Sequence, residues 1–258
     1  MASESGHGVT VFCLPYAGGS AAIYRDWPAR VPSWLKLVAL HLPGRGIRHA
    51  VRPIHRWPPL LDLLIEDVRP HLGRPFAIFG HSMGALIGIE LAHAIRERFG
   101  VSPVWIGASA CKAPSRREQQ LHWLTCGESD FIDEIRSLGG MPDELLGNRE
   151  FMELVLPTLR ADFHLCGSYD HDASRRPLDC PLLAIGGTED REIAAHPPHL
   201  AAWSAESAGP FELKQIHAGH FFINTHRDEV IGLMVDSLAR ALSSRGPSGE
   251  SLQQRSPA

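Results

Sequence analysis

Short apolar runs and longer amphipathic stretches take turns along this 258-residue chain. Strand-length runs fall at Thr10 to Leu14, Lys36 to His41, Phe76 to Phe79, Val104 to Ala108 and Leu182 to Ile185, with a last one at Glu212 to Ile216. Most are apolar at successive positions, the pattern of strands covered on both faces. Between them, helical spacing predicts Ala21 to Arg30, Leu60 to His71, Ala85 to Phe99, Ala195 to Ser204 and Glu229 to Leu242. Strand followed by helix almost throughout predicts an α/β fold, a mostly parallel central sheet with helices on both faces.

One stretch breaks the rhythm. Residues 114 to 176 hold no strong strand, but carry amphipathic segments at Arg116 to Thr125, Ser129 to Leu138, Asp143 to Leu146 and Arg149 to His164. An insertion of that length between two strands predicts a helical cap. Its apolar members Leu121, Trp123, Phe131, Ile135, Leu138, Phe151 and Leu154 recur at helical spacing, so they are expected to pack the cap, with its inner face looking onto the sheet edge. Residues 1 to 242 are expected to form one domain of which the insertion is part. The tail 243 to 258 is polar and short of bulky side chains, which predicts disorder.

Composition narrows the function classes. A net charge of −4 gives no basic footprint for nucleic acid. No leader pattern opens the chain and no apolar run is long enough to span a bilayer, so a cytoplasmic protein with no membrane partner is expected. Five scattered cysteines without a Cys-x-x-Cys pair indicate neither a disulfide framework nor a zinc site. Among fifteen histidines, the groups Asp170-His171-Asp172 and His196 with His199 invite a metal hypothesis. Neither has the His-Glu-x-x-His spacing, and solvated loop histidines are the commoner explanation, so no metal is expected.

The chemistry is concentrated where an apolar run stops abruptly, at Phe79-Gly80-His81-Ser82-Met83-Gly84-Ala85. A serine between two glycines, with strand pattern before and helix pattern after, reads as a nucleophile elbow: a strained turn that lifts the hydroxyl above the sheet edge. Ser82 then needs a histidine to take its proton and an acid to fix that histidine's tautomer, in the chain order serine, acid, histidine. After the run ending at Ile185 comes Gly186-Gly187-Thr188-Glu189-Asp190, which offers Asp190 as the acid with Glu189 as competitor. After the last strand stands His217-Ala218-Gly219-His220-Phe221-Phe222. His220 is the expected base, because Gly219 permits a sharp turn before it and the following apolar residues anchor it. His217 is expected to be structural, and His81 to pack or orient. An oxyanion needs preorganised donors. The Met83 backbone N–H supplies one, and the loop Leu14-Pro15-Tyr16-Ala17-Gly18-Gly19-Ser20 supplies the other, from Tyr16 or Ala17.

With these stretches, together with Tyr24-Arg25-Asp26-Trp27, Leu42-Pro43-Gly44-Arg45-Gly46-Ile47-Arg48 and Gly219-His220-Phe221-Phe222, the chain resembles the type II editing thioesterases that accompany modular polyketide synthases and nonribosomal peptide synthetases. The resemblance implies the α/β-hydrolase fold and a triad of Ser82, Asp190 and His220. It further implies oxyanion donors at Ala17 and Met83, a helical lid at 114 to 176 and no cofactor. It also implies as partner an acyl or peptidyl carrier protein with a phosphopantetheine-bound acyl chain; separately, a monomer is expected. The chain departs from the family's Pro-His with Pro15-Tyr16, and from Gly-Gly-His with Ala218-Gly219-His220; neither departure removes a reacting group. Arg45, Arg48, Arg52 and Arg56 read as a solvated loop face, with Arg45 best placed to meet an acidic carrier or a phosphate. Three readings remain beside this one: a small-ester carboxylesterase or lipase, an acyltransferase, and a noncatalytic protein on a hydrolase scaffold.

Overall fold

A computed structural model describes residues 8–139, 141–194 and 196–244. Six strands, β1 (Val9–Leu14), β2 (Leu35–Ala39), β3 (Phe76–His81), β4 (Ile106–Ser109), β5 (Leu182–Gly187) and β6 (Phe211–Ile216), form one sheet in the order β2-β1-β3-β4-β5-β6. Every neighbouring pair is parallel.

Successive strand residues are buried in turn against opposite layers. Phe12, Leu14, Ile78, Leu182 and Ala184 join a core under α1 (Trp57–Val68) and α2 (Met83–Phe99). Their neighbours Val11, Cys13, Phe79, Leu183 and Ile185 join a second core with Trp27, Trp105 and Met234. This alternation explains why the central strands read as unbroken apolar runs. The edge strand β6, Phe-Glu-Leu-Lys-Gln-Ile, is largely exposed and charged, which blunts pairing with another chain.

Helices depart from the expected boundaries for local reasons. The stretch Ala21–Arg30 is two 3-10 turns, Ala21–Tyr24 and Trp27–Arg30, the second opening on Pro28. Helix α1 starts three residues early because Pro58 and Pro59 fit a first turn, where no N–H partner is required, and it stops before Pro70.

Between β4 and β5 lie α3 (Glu128–Leu138), α4 (Asp143–Leu146) and α5 (Arg149–Gly167). Trp123, Phe131 and Phe163 meet edge to face at 5.2–5.9 Å. The Arg160 guanidinium lies 4.7 Å from the Phe131 ring centroid. Trp123, Phe131 and Ile135 are buried as expected, whereas Leu121 and Leu154, assigned to packing by their spacing, stand 57% and 78% exposed.

The chain continues through α6 (Arg191–Ala194), α7 (Pro198–Ala201), α8 (Phe222–Thr225) and α9 (Arg227–Ser243). The helix expected at Ala195 to Ser204 is α7 followed by a 3-10 turn, and Ala195 falls outside the described residues. So does the expected tail beyond Ser244.

Candidate active site

The strand β3 ends at His81 and α2 begins at Met83, leaving Ser82 as the whole turn. Its backbone stands at φ 55°, ψ −120°, a conformation that costs a non-glycine residue roughly 1–3 kcal/mol. Its N–H donates to the Ser109 carbonyl at 2.7 Å and its carbonyl accepts the Ala85 N–H at 2.9 Å. The flanking glycines are steric requirements. A Cβ on Gly80 would lie 2.0 Å from the Gly84 carbonyl oxygen, and one on Gly84 would lie 2.1 Å from that of Leu14. Strand, turn and helix cross too closely for any side chain there.

Two further turns meet this one at the same end of the sheet. Beyond β5, the N–H groups of Thr188 and Glu189 donate to the carbonyls of Ile216 and Ala218. A Cβ on Gly187 would come within 2.4 Å of the Ala218 oxygen, so the turn after β5 is seated directly on the turn after β6. Asp190 is buried, its Oδ1 accepting the Glu192 N–H at 3.1 Å and its Oδ2 lying 2.6 Å from His220 Nδ1. His220 Nε2 is 2.9 Å from Ser82 Oγ. Because a carboxylate can only accept, Nδ1 carries the imidazole proton and Nε2 is left to receive the serine's. The competing acid and histidine lie elsewhere. Glu189 Oε1 and His217 Nε2 are 3.4 Å apart with side chains 59% and 86% exposed, so His217 is a surface residue instead of a structural one.

His81 backs His220 from below. Its Nε2 lies 2.9 Å from the His220 carbonyl, which accepts only, so Nε2–H donates there and Nδ1 accepts from the Ser109 hydroxyl at 2.9 Å. Burial, reinforced by the nearby His220 ring, holds His81 well below the ordinary histidine value, so it stays neutral. Nothing in the sequence marked Ser109 as its partner.

A cavity of about 390 Å³ opens over Ser82 and His220, roofed by the insertion through Trp123, Ile135, Leu159 and Phe163. Ala17 and Met83 line it, and among the described residues neither backbone N–H has an acceptor. Helix α2 points its positive end at the same spot. Cys166 also borders the cavity, but burial pushes its thiol up to about 12, leaving it protonated at neutral pH. Arg45 and Arg48 do not form the open basic face expected: Arg45 is paired with Asp162 of α5, and Arg48 with Asp67. Asp162 was missed, although a lone acid set between Leu159 and Leu165 on a helix's apolar stripe is itself a signal of a buried partner.

A thioesterase domain model matches residues 9–238. The chain belongs to the thioesterase family. The gramicidin S biosynthesis protein GrsT of Aneurinibacillus migulanus is 36% identical to the thioesterase over 90% of both chains. The RedJ thioesterase of the prodiginine pathway in Streptomyces coelicolor is 31% identical, with a TM-score of 0.83 over 90% of this chain and 91% of that one. The type II thioesterase BorB of the borrelidin cluster is 32% identical, with a TM-score of 0.79 over 90% and 93%. The thioesterase is thus an α/β-hydrolase-fold enzyme of the type II kind, a serine-type hydrolase of thioesters. Among its described residues no helix is long and apolar enough to cross a membrane, and no three His, Cys, Asp or Glu side chains are grouped to hold a metal ion.

Proposed function

We propose that Ser82, His220 and Asp190 form the catalytic triad, that Ala17 and Met83 donate to the oxyanion, and that the substrate is an acyl group on the phosphopantetheine arm of an acyl or peptidyl carrier protein. The observation that carries this reading is the unbroken chain of contacts from Ser82 Oγ through the imidazole to a buried carboxylate, opening into a chamber lined by both apolar and polar side chains. Residues 114 to 176 act as the lid over that chamber.

Ser82 Oγ attacks the thioester carbonyl while His220 Nε2 takes its proton. The carbonyl electrons pass to the oxygen, which the Ala17 and Met83 N–H groups and the α2 terminus stabilise. The C–S bond then breaks, and the departing sulfur takes the proton from His220. Water attacks the resulting acyl-enzyme with His220 again as base, Oγ leaves with that proton, and the free acid departs. The Asp190 carboxylate holds the imidazolium in register. A pantetheine thiolate leaves readily, so less is asked of the general acid than in amide cleavage.

Intact-mass measurement of carrier proteins loaded with acetyl, propionyl and longer chains tests the reading. The expected result is loss of the acyl mass on incubation with the thioesterase, and a fall of roughly 10⁴-fold or more with Ser82→Ala. Aryl esters of the same acyl groups turned over equally well or better would favour the carboxylesterase reading and sink the carrier assignment. Undiminished hydrolysis by Ser82→Ala would sink the triad.

A further inference from the structure

Helix α5 does more than roof the chamber, for its buried Asp162 reaches down onto the loop after β1. Asp162 Oδ2 accepts the Gly18 backbone N–H at 2.8 Å, one residue beyond Ala17. The Arg45 guanidinium grips the same carboxylate in a fork, Nη2 to Oδ1 at 2.7 Å and Nη1 to Oδ2. Arg45 is itself tethered, its Nε donating to the Pro43 carbonyl at 3.0 Å. One turn earlier on α5, Leu159 presses on Gly18, where a Cβ would lie 2.5 Å from Leu159 Cδ2, and Gly18 holds a left-handed φ of +75°. The loop carrying the Ala17 N–H is therefore clamped from the insertion side by Asp162 and Leu159.

We propose that Asp162 is a positioning residue for the oxyanion hole: by fixing the Gly18 N–H it sets the direction of the preceding Ala17 N–H. Arg45 cancels the charge that Asp162 would otherwise set against the developing oxyanion. The inference rests on Ala17 being the oxyanion donor, as argued above. Its physical basis is twofold. A donor helps only when aimed in advance at the oxygen's transition-state position. A bare carboxylate in a region of low dielectric would oppose negative charge forming nearby. The fork between Arg45 and Asp162 leaves one carboxylate oxygen able to serve Gly18 while keeping the pair neutral.

Two double variants separate the acceptor from the charge. Both Arg45→Met/Asp162→Asn and Arg45→Met/Asp162→Leu remove the ion pair, but only the first leaves an oxygen for the Gly18 N–H. With an acyl-thioester substrate, the asparagine double variant should keep kcat within about threefold of wild type. The leucine double variant should lose about a hundredfold in kcat with KM little changed, the size expected when one oxyanion donor is misdirected. Inhibition by a trifluoromethyl ketone, whose adduct on Ser82 carries an oxyanion, should weaken in parallel. A purely structural ion pair would lower the melting temperature of both double variants alike without splitting kcat from KM. Arg45→Met alone leaves the carboxylate bare and should be slower than the asparagine double variant. If the leucine variant does not fold, Asp162→Ser in the same background takes its place, since its short hydroxyl does not span to Gly18.

Equal kcat in the two double variants, or loss confined to KM, would overturn the positioning role. Equal rates in Arg45→Met and the asparagine double variant would overturn the charge cancellation. Either failure is distinct from failure of the triad itself, which Ser82→Ala reports.

Discussion

Two histidine–carboxylate pairs sit on the same two turns of this thioesterase. His220 and Asp190 meet at 2.6 Å with side chains 12% and 2% exposed, whereas His217 and Glu189 meet at 3.4 Å in solvent. Both join a histidine to a carboxylate, and the two differ in what surrounds them. The buried pair has a third member on each side: Glu192 N–H on the acid, and Ser82 Oγ and His81 on the base. Solvent screens the outer pair and side-chain freedom competes with it, so it is worth little. A histidine and an acid in adjacent turns make a candidate, and enclosure beside a serine hydroxyl sets the inner pair apart.

Removing the charge from the buried pair is expected to have the largest effect. Asp190→Asn keeps the shape but favours the wrong imidazole tautomer, and should lower kcat on an acyl thioester by roughly 10³–10⁴-fold with KM little changed. A loss under tenfold in steady-state kinetics would show that Glu189 or another acid replaces it.

Acid should separate the regions next. His81 behind His220 and His93 on α2 are both held below the ordinary histidine value of 6.5, His93 to about 3, by burial and then by the Arg175 and Arg96 guanidiniums. Below pH 6.5 the unfolded chain takes up protons that the folded one refuses, so stability is complete above that pH and drains away as pH falls. Each refused proton costs about 1.4 kcal/mol per pH unit. Between pH 7 and pH 5 the melting temperature should fall by something on the order of 10 °C. His93→Gln should flatten the slope, whereas His217→Gln should leave it unchanged. A flat wild-type profile in calorimetry would contradict the buried neutral state.

The smallest effect belongs to the outer pair. Glu189→Gln and His217→Gln should each leave kcat/KM within about twofold and stability within about 0.5 kcal/mol. A tenfold kinetic loss in either would mean that the two pairs exchange partners during turnover.

The sheet was legible because its central strands are buried on both faces, so Phe76 to Phe79 and Leu182 to Ile185 need no alternation to be recognised. The elbow was legible because only glycine fits at positions 80 and 84. Boundaries were less so. The 3-10 breaks at Ala21–Arg30 and the short helices α6 and α8 answer to tertiary contacts that no local pattern records. Helical spacing placed Leu121 and Leu154 in the insertion's packing, yet spacing gives a face without saying whether anything covers it. Arg45 looked like a surface cation because its partner lies 117 positions away.

The missing side chain at Gly187 has one more implication. Since that residue rests against the Ala218 backbone, the acid and the base ride on a single seated unit, and the spacing between them does not depend on which cargo fills the space above. Redesigning the roof for bulkier acids should therefore leave the proton circuit in tune, whereas a single methyl introduced at position 187 would wedge the two turns apart from beneath.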